Sequence, residues 1–441
     1  MFKKLICLFL IFTLAFGVTG CVIFDSQDSP IEYEDIYQPE QESDIDIVEE
    51  IDFTGQLPGK IAIATPMGGP MALSLERSFA ARQLLDKYGE DSLIHFTFPS
   101  QEIGRFERPP REIVASVVDE IIANDEIKIL ITHTVDSELF YYFISGVQLQ
   151  RSDIFVIFLS DTGNNFHLNS RADLIFDVNR NELLYSIIEQ AKSLGAENFV
   201  AFVYDHELEY GFEPDDFPET NWGSEHIEEV DRIRIRAKEI GLNIVEVRYA
   251  GIGCMSDLNQ YIQDTVPGLV ETLGINTAFF GLSDDRLLWE SVARGTIYPS
   301  SFNRFHGTPS PQFIASELFI PSLSEIASVD NAQFFHRDNL RFIIEETRKY
   351  IASHNMLGRV STWPVSAQDM FLYAAVEYGF MLLNGEVSDE NVDLEVLSQI
   401  MNNYIYRYTG EYGLGVNGTL FTADGVNFPN HILFLMGFLV Y

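Results

Sequence analysis

Polar side chains and one methionine stand where the predicted strands of this chain end, and their groups could bind a solute. They are Thr65, Met67, His133, Thr134, Asp161, Thr162, Tyr204, Asp205 and Ser283. Hydroxyl, imidazole and carboxylate groups exchange hydrogen bonds with sugars, amines and other polar molecules. Asp, Thr and His are also frequent in turns and at helix caps, so a structural role stays open for each. We interpret the set as candidate ligand-binding residues.

Aromatic side chains could add stacking surfaces to such a site. Tyr204, Tyr298 and Trp363 could stack on a planar ring or a sugar face. The chain has 35 Phe and 19 Tyr, so most of its aromatic residues must be ordinary core. Trp363 is the best candidate for an exception, and the core interpretation stays open for it as well.

Motifs of catalysis and metal binding are missing from the sequence. It has no GxSxG elbow, no GxxxxGK[ST] loop and no HExxH helix. The stretch 205–229 holds 10 acidic residues. It lacks the Asp-x-Asp-x-Asp-Gly spacing of a calcium loop, so we interpret it as solvated, with cation binding left open. We therefore predict no catalytic residue, no metal site, no cofactor and no enzyme.

Apolar strands alternate with helical patterns from Lys60 onward, and this order must position the candidate residues. Near-continuous apolar strands separated by helices predict parallel sheets covered on both faces. We predict the α/β class with two doubly wound parallel-sheet lobes joined by a hinge, at 59–195 and 196–330. Residues 331–441 should form further helices and a C-terminal return that packs on the lobes. Ligands of such sheets bind beyond the carboxyl ends of the strands.

The first 21 residues have the pattern of an export signal. Lys3 and Lys4 precede a short apolar run, and small residues lead directly to Cys21. This resembles a bacterial lipobox, in which the signal peptide 1–20 is removed and Cys21 Sγ carries a diacylglycerol. Residues 22–59 then hold 12 acidic residues and no Lys or Arg. We interpret 21–58 as an extended acidic tether on the outside of the bacterial cell membrane.

The formal net charge of -38 limits the partners of the chain. A surface this acidic repels nucleic-acid backbones and anionic lipid headgroups. If the charge lines the cleft, the solute should be neutral or cationic.

Short segments in the second half of the chain resemble a known protein family. They are Thr277–Phe280, Gly295–Pro299, His306–Gly307, Ser361–Val365 and Pro429–Met436. With the strand order, they resemble uncharacterised bacterial lipoproteins that have a type I periplasmic-binding-protein fold, like the substrate-binding proteins of ABC transporters. The resemblance covers about 59–441. It implies two lobes and a solute-binding role, and it brings no ligand and no catalytic residue.

The resulting hypothesis is a membrane-anchored extracytoplasmic lipoprotein that captures a small polar solute between its lobes. Its partner would be an ABC-type transporter or a sensor. Two alternatives stay open. One is a structural or interaction lipoprotein that keeps the fold without binding a small molecule, and the other is an extracellular hydrolase.

Overall fold

A computed structural model of the chain describes fourteen stretches of residues. They are 57–67, 72–99, 101–103, 106–108, 111–133, 137–160, 171–204, 222–249, 255–282, 312–314, 340–353, 356–411, 414–423 and 425–441. The signal peptide, Cys21 and most of the acidic tether lie outside these residues. So do residues 284–294, whose sequence pattern predicts a helix, and residues 296–298, whose pattern predicts a strand.

Strands and helices alternate through the first two thirds of the described chain. The strands are β1 (Lys60–Met67), β2 (Leu93–Pro99), β3 (Gln101–Ile103), β4 (Phe106–Arg108), β5 (Ile127–His133), β6 (Phe155–Leu159), β7 (Leu174–Val178), β8 (Asn198–Tyr204), β9 (Asn243–Tyr249), β10 (Thr277–Leu282), β11 (Gln312–Ile314), β12 (Val360–Thr362), β13 (Val416–Ala423), β14 (Val426–Met436) and β15 (Leu439–Val440). The helices are α1 (Ala72–Tyr88), α2 (Arg111–Ala123), α3 (Ser137–Gln148), α4 (Arg180–Ser193), α5 (Trp222–Glu239), α6 (Met255–Leu273), α7 (Leu340–Ser353), α8 (Ala367–Asn384) and α9 (Leu394–Thr409).

Two sheets form the body of the protein. The first has the order β2-β1-β5-β6-β7-β14-β13, and the second has the order β9-β8-β10-β11-β12-β15. The five strands that begin each order are parallel, because helical crossovers connect most of them. The two sheets therefore repeat one strand order, and the predicted α/β class with two doubly wound lobes is confirmed. We call the first sheet with its helices the first lobe and the second sheet with its helices the second lobe.

The C-terminal third supplies strands to both lobes. Strand β14 adds to the first sheet in parallel beside β7, and β13 pairs antiparallel with β14. Strands β12 and β15 lie in the second sheet. The sequence reasoning expected mainly helices here and did not assign β13 and β14. The proposed domain limits of 59–195, 196–330 and 331–441 stay predictions.

Helix α8 is the central helix of the first lobe. Its residues from Ala367 to Phe380 are buried with the exception of Asp369, as expected of a helix with apolar residues almost all around it. It packs so closely on β1 that a Cβ at Gly379 would lie 2.9 Å from Ile61 Cδ1. Only glycine fits there without displacing the Ile61 side chain.

The chain passes between the lobes three times among the described residues. It enters the second lobe between α4 and β8, returns between β12 and α8, and passes back between β14 and β15. A single buried cluster includes Ile61 of the first sheet and Phe199 of the second. The Gln190 amide of α4 also donates a hydrogen bond to Ser361 Oγ of β12 at 3.0 Å. The lobes thus share a core around the segments that connect them.

None of the helices in the described part of the chain is long and apolar enough to cross a bilayer.

Candidate functional site

The carboxyl edge of the first sheet gathers polar side chains from adjacent strands. Ala64 of β1 lies opposite Thr132 of β5, so Thr65 and His133 each stand one residue beyond this pair. His133 in turn lies opposite Leu159 of β6, which is followed by Ser160. The structure therefore brings the two sequence-predicted residues Thr65 and His133 to the same level of neighbouring strands.

Thr65 is joined to a histidine that the sequence reasoning did not select. The Thr65 hydroxyl lies 2.8 Å from His95 Nε2, across β1 and β2. In the strand register Thr65 pairs with Thr97, so His95 is its diagonal neighbour on the same face of the sheet. Burial, with a smaller contribution from the charge of Arg82, lowers the pKa of His95 to about 4. At neutral pH this pair offers uncharged hydrogen-bonding groups.

His133 ends β5 in a buried position, with 2% of its surface exposed. Thr132 precedes it and is fully buried, and its hydroxyl donates to the His133 carbonyl at 3.4 Å. The residues that continue the chain at 134–136 lie outside the described part. A ligand contact by His133 stays a prediction.

A second histidine pair lies at the far side of the same sheet. His431 Nε2 of β14 is 3.3 Å from Asp177 Oδ2 of β7, and both side chains are completely buried. The other carboxylate oxygen of Asp177 accepts the backbone N–H of Val178 at 2.8 Å. The Phe421 ring lies 4.6 Å from the imidazole ring between their centroids. No acceptor or donor among the described residues reaches His431 Nδ1.

Trp363 begins the segment that leads from the second lobe to the first. Strand β12 ends at Thr362, and α8 begins at Ala367. The Trp363 side chain is 2% exposed and belongs to the buried cluster that both lobes share. Its indole Nε1 has no acceptor among the described residues. The ring packs in the core here, and stacking on a ligand stays a prediction.

The direction of α8 places this segment at the carboxyl edge. Phe371, in the first half of α8, contacts Phe176 of β7, which lies opposite Leu159 at the carboxyl end of β6, with ring centroids 6.1 Å apart. Gly379, in its second half, approaches Ile61 at the start of β1. Helix α8 therefore runs antiparallel to the strands, and the chain crosses between lobes beside the carboxyl ends of the first sheet.

The side chains of the remaining candidate residues lie outside the described part of the structure. Met67 and Tyr204 end β1 and β8, and the positions of their side chains lie outside the described part. Other candidates lie wholly outside the described residues: Cys21, Thr134, Asp161, Thr162, Asp205, Ser283 and Tyr298. Most of the acidic stretch 205–229 also lies outside, as 205–221. Within the described ranges, no group of three or more His, Cys, Asp and Glu side chains could hold a metal ion.

The repeated strand order and the three interlobe connections define the class of this protein. Its fold is that of the type I periplasmic binding proteins, with two α/β lobes. Residues 60–312 match the sequence family described as "Protein of unknown function (DUF3798)", and the chain belongs to this family. No curated protein matches the chain.

Several solved structures are similar to this chain. A protein of Clostridium difficile 630, described as a "Putative transcriptional regulator", is 16% identical and has a TM-score of 0.65. The match covers 87% of this chain and 99% of that protein. A periplasmic ribose ABC transporter from Conexibacter woesei DSM 14684 is 14% identical and has a TM-score of 0.43. The match covers 75% of this chain and 88% of that protein. An ABC transporter solute binding protein from Agrobacterium vitis with bound allitol is 12% identical and has a TM-score of 0.40. The match covers 75% of this chain and 91% of that protein. Only the first has a TM-score that bears on the fold, and none bears on the ligand.

Proposed function

We propose that this protein is an extracytoplasmic solute-binding lipoprotein that captures a small polar molecule between its lobes. The observation that supports this best is the crossing segment from Trp363 to Ser366, which joins the lobes beside the carboxyl edge of the first sheet. A solute bound at this edge would contact the lobes and the segments that connect them. Closure of the lobes about these segments would then enclose it.

The polar groups at the edge suit a solute that is rich in hydroxyl or amide groups. Thr65, His95 and His133 can donate and accept hydrogen bonds, and His95 is neutral at physiological pH. We propose a sugar, a nucleoside or an amino-acid-like solute. It would be passed on to an ABC-type transporter or a sensor, and no catalytic step is proposed.

One observation favours a second candidate, a lipoprotein that keeps this fold for structural or interaction roles. Thr65, His133 and Trp363 are all nearly or completely buried by the protein itself. A solute could reach these groups only when the covering residues move. A binding screen separates the two candidates.

The screen measures the thermal stability of the chain from Val22 to Tyr441 with sugars, nucleosides, amino acids, polyamines and divalent ions. A solute at 100 times its Kd should stabilise the native state by about 2.7 kcal/mol, which raises Tm by several degrees. Thr65→Val should weaken binding of the hit about tenfold, because a hydrogen bond is lost. The same substitution at the exposed Thr272 of α6 should leave binding unchanged. A well-folded chain with no hit in any class would favour the interaction lipoprotein.

Membrane attachment is tested on the full-length chain in a bacterial host. We expect the wild-type protein in the membrane fraction, because the lipid on Cys21 holds it there. Cys21→Ser should lose this attachment, and the matched substitution Cys254→Ser should keep it. Equal membrane retention of the Cys21 variant and the wild type would contradict the lipid anchor.

A further inference from the structure

The first sheet ends on β13, and no strand lies beyond it among the described residues. The outer N–H and C=O groups of such an edge strand can pair with another strand. Several β13 side chains are exposed, namely those of Asn417, Thr419, Leu420 and Thr422. The backbone N–H of Val416 already donates to Asn402 Oδ1 of α9 at 2.8 Å, so the accessible part of the edge begins after Val416.

The C-terminal segment that contains this edge strand is almost free of charge. Residues 412–441 contain a single charged residue, Asp424, whereas 21% of the whole chain is charged. Nearby, the apolar side chains of Leu420 and Val426 are 36% and 57% exposed. An uncharged surface of this kind is unusual in a chain whose net charge is -38.

The second sheet shows how the same chain protects an edge. Its edge strand β9 carries Glu246 and Arg248, and Arg234 Nε of α5 lies 2.5 Å from Glu246 Oε1. Its other edge, β15, is only two residues long. Charges and short strands both prevent edge-to-edge pairing in natural sheets. Strand β13 has neither protection, because it carries no charged residue and is eight residues long.

We propose that β13 pairs antiparallel with β13 of a second copy about a two-fold axis, so that two first sheets become continuous. A strand that pairs with its own copy in this way is self-complementary, because each copy supplies the same donors and acceptors. Two chains of charge -38 repel each other, and contact through an uncharged edge brings the least charge together. Leu420 would lose exposed apolar surface in the contact.

The dimer should be modest in strength and sensitive to salt. The register of β13 shifts between Leu420 and Phe421, and the Val416 N–H is bonded to Asn402, which limits the regular accessible edge to 417–420. A pairing of this length buries little area, so we expect dissociation in the micromolar range. Because salt screens the repulsion between the two bodies, added salt should strengthen the dimer.

Sedimentation velocity of the chain from Val22 to Tyr441, which contains the whole compact unit Val48–Tyr441, tests this pairing. Measured at low and high salt, the wild type should form dimers that tighten as salt rises. Thr419→Lys should raise the dissociation constant at least tenfold, since a lysine on an edge strand opposes edge-to-edge pairing. Ile235→Lys, at an exposed apolar residue of α5, should behave as the wild type. A wild-type monomer at every concentration would overturn the proposal. So would a Thr419→Lys variant that dimerises normally, or an Ile235→Lys variant that loses the dimer.

Discussion

Substitution of Asp177 by alanine is expected to destabilise the protein by about 1–3 kcal/mol. Asp177 and His431 are completely buried, and each provides the other with a hydrogen-bonding partner across β7 and β14. Removal of the carboxylate leaves a buried imidazole without this partner and deprives the Val178 N–H of its acceptor. Denaturant unfolding of the variant and the wild type measures the loss.

A double-mutant cycle separates this pair from general packing. His431→Phe alone should also be costly, because it leaves the Asp177 carboxylate without its imidazole partner. With both residues replaced, the loss should be smaller than the sum by about 0.5–3 kcal/mol. Asp125→Ala is the matched control, since Asp125 is fully exposed and 3.9 Å from Arg151 NH1. The control should change stability by less than about 0.5 kcal/mol. Additive losses in the cycle would contradict a coupled pair.

As the pH falls, the free energy of unfolding of the wild type is expected to decrease more than that of a His95→Gln variant. The pKa of His95 is lowered to about 4 in the folded protein, and its ordinary value is 6.5. Between these values the unfolded chain binds more protons than the native protein, so the His95 contribution to stability decreases as pH falls from 6.5 to 4. Above pH 6.5 it is fully present. The shift corresponds to about 3 kcal/mol as an upper bound.

The difference between the two proteins is the quantity to measure, because the many carboxylates contribute a pH dependence common to both. Free energies of unfolding at several pH values between 4 and 7 provide it. The advantage of the wild type over His95→Gln should decrease steadily towards pH 4. Parallel curves across this range would show that His95 titrates normally in the folded protein.

The architecture was predictable because it depends on local patterns. Short apolar runs bounded by glycine or polar turns predict buried parallel strands. The runs at 60–65, 128–132, 154–159 and 199–204 predict strands, and β1, β5, β6 and β8 lie within two residues of these limits. The hairpin β13–β14 was missed although Asp424-Gly425 is a hairpin turn signal. Its strands contain Gly418, Pro429 and an irregular register, which obscure the alternation of polar and apolar residues.

The polar pairs of the candidate site were not predictable from one sequence. Thr65 was selected from its position at a strand end, but its partner His95 is 30 residues away on another strand. Asp177 and His431 are 254 residues apart and meet only because β14 returns to the edge of the first sheet. The spacing of residues along the sequence does not indicate contacts between residues this far apart. Trp363 was selected as a stacking residue, and the structure shows that it also packs between the lobes.

Solution X-ray scattering tests most directly whether the two lobes close on a solute. The chain from Val22 to Tyr441 is measured alone and then saturated with the solute that stabilises it in the thermal screen. We predict one bound molecule per chain and a decrease in the radius of gyration of each chain, because hinge closure brings the lobes together. Binding with unchanged scattering would contradict capture between the lobes and would place the solute elsewhere on the protein.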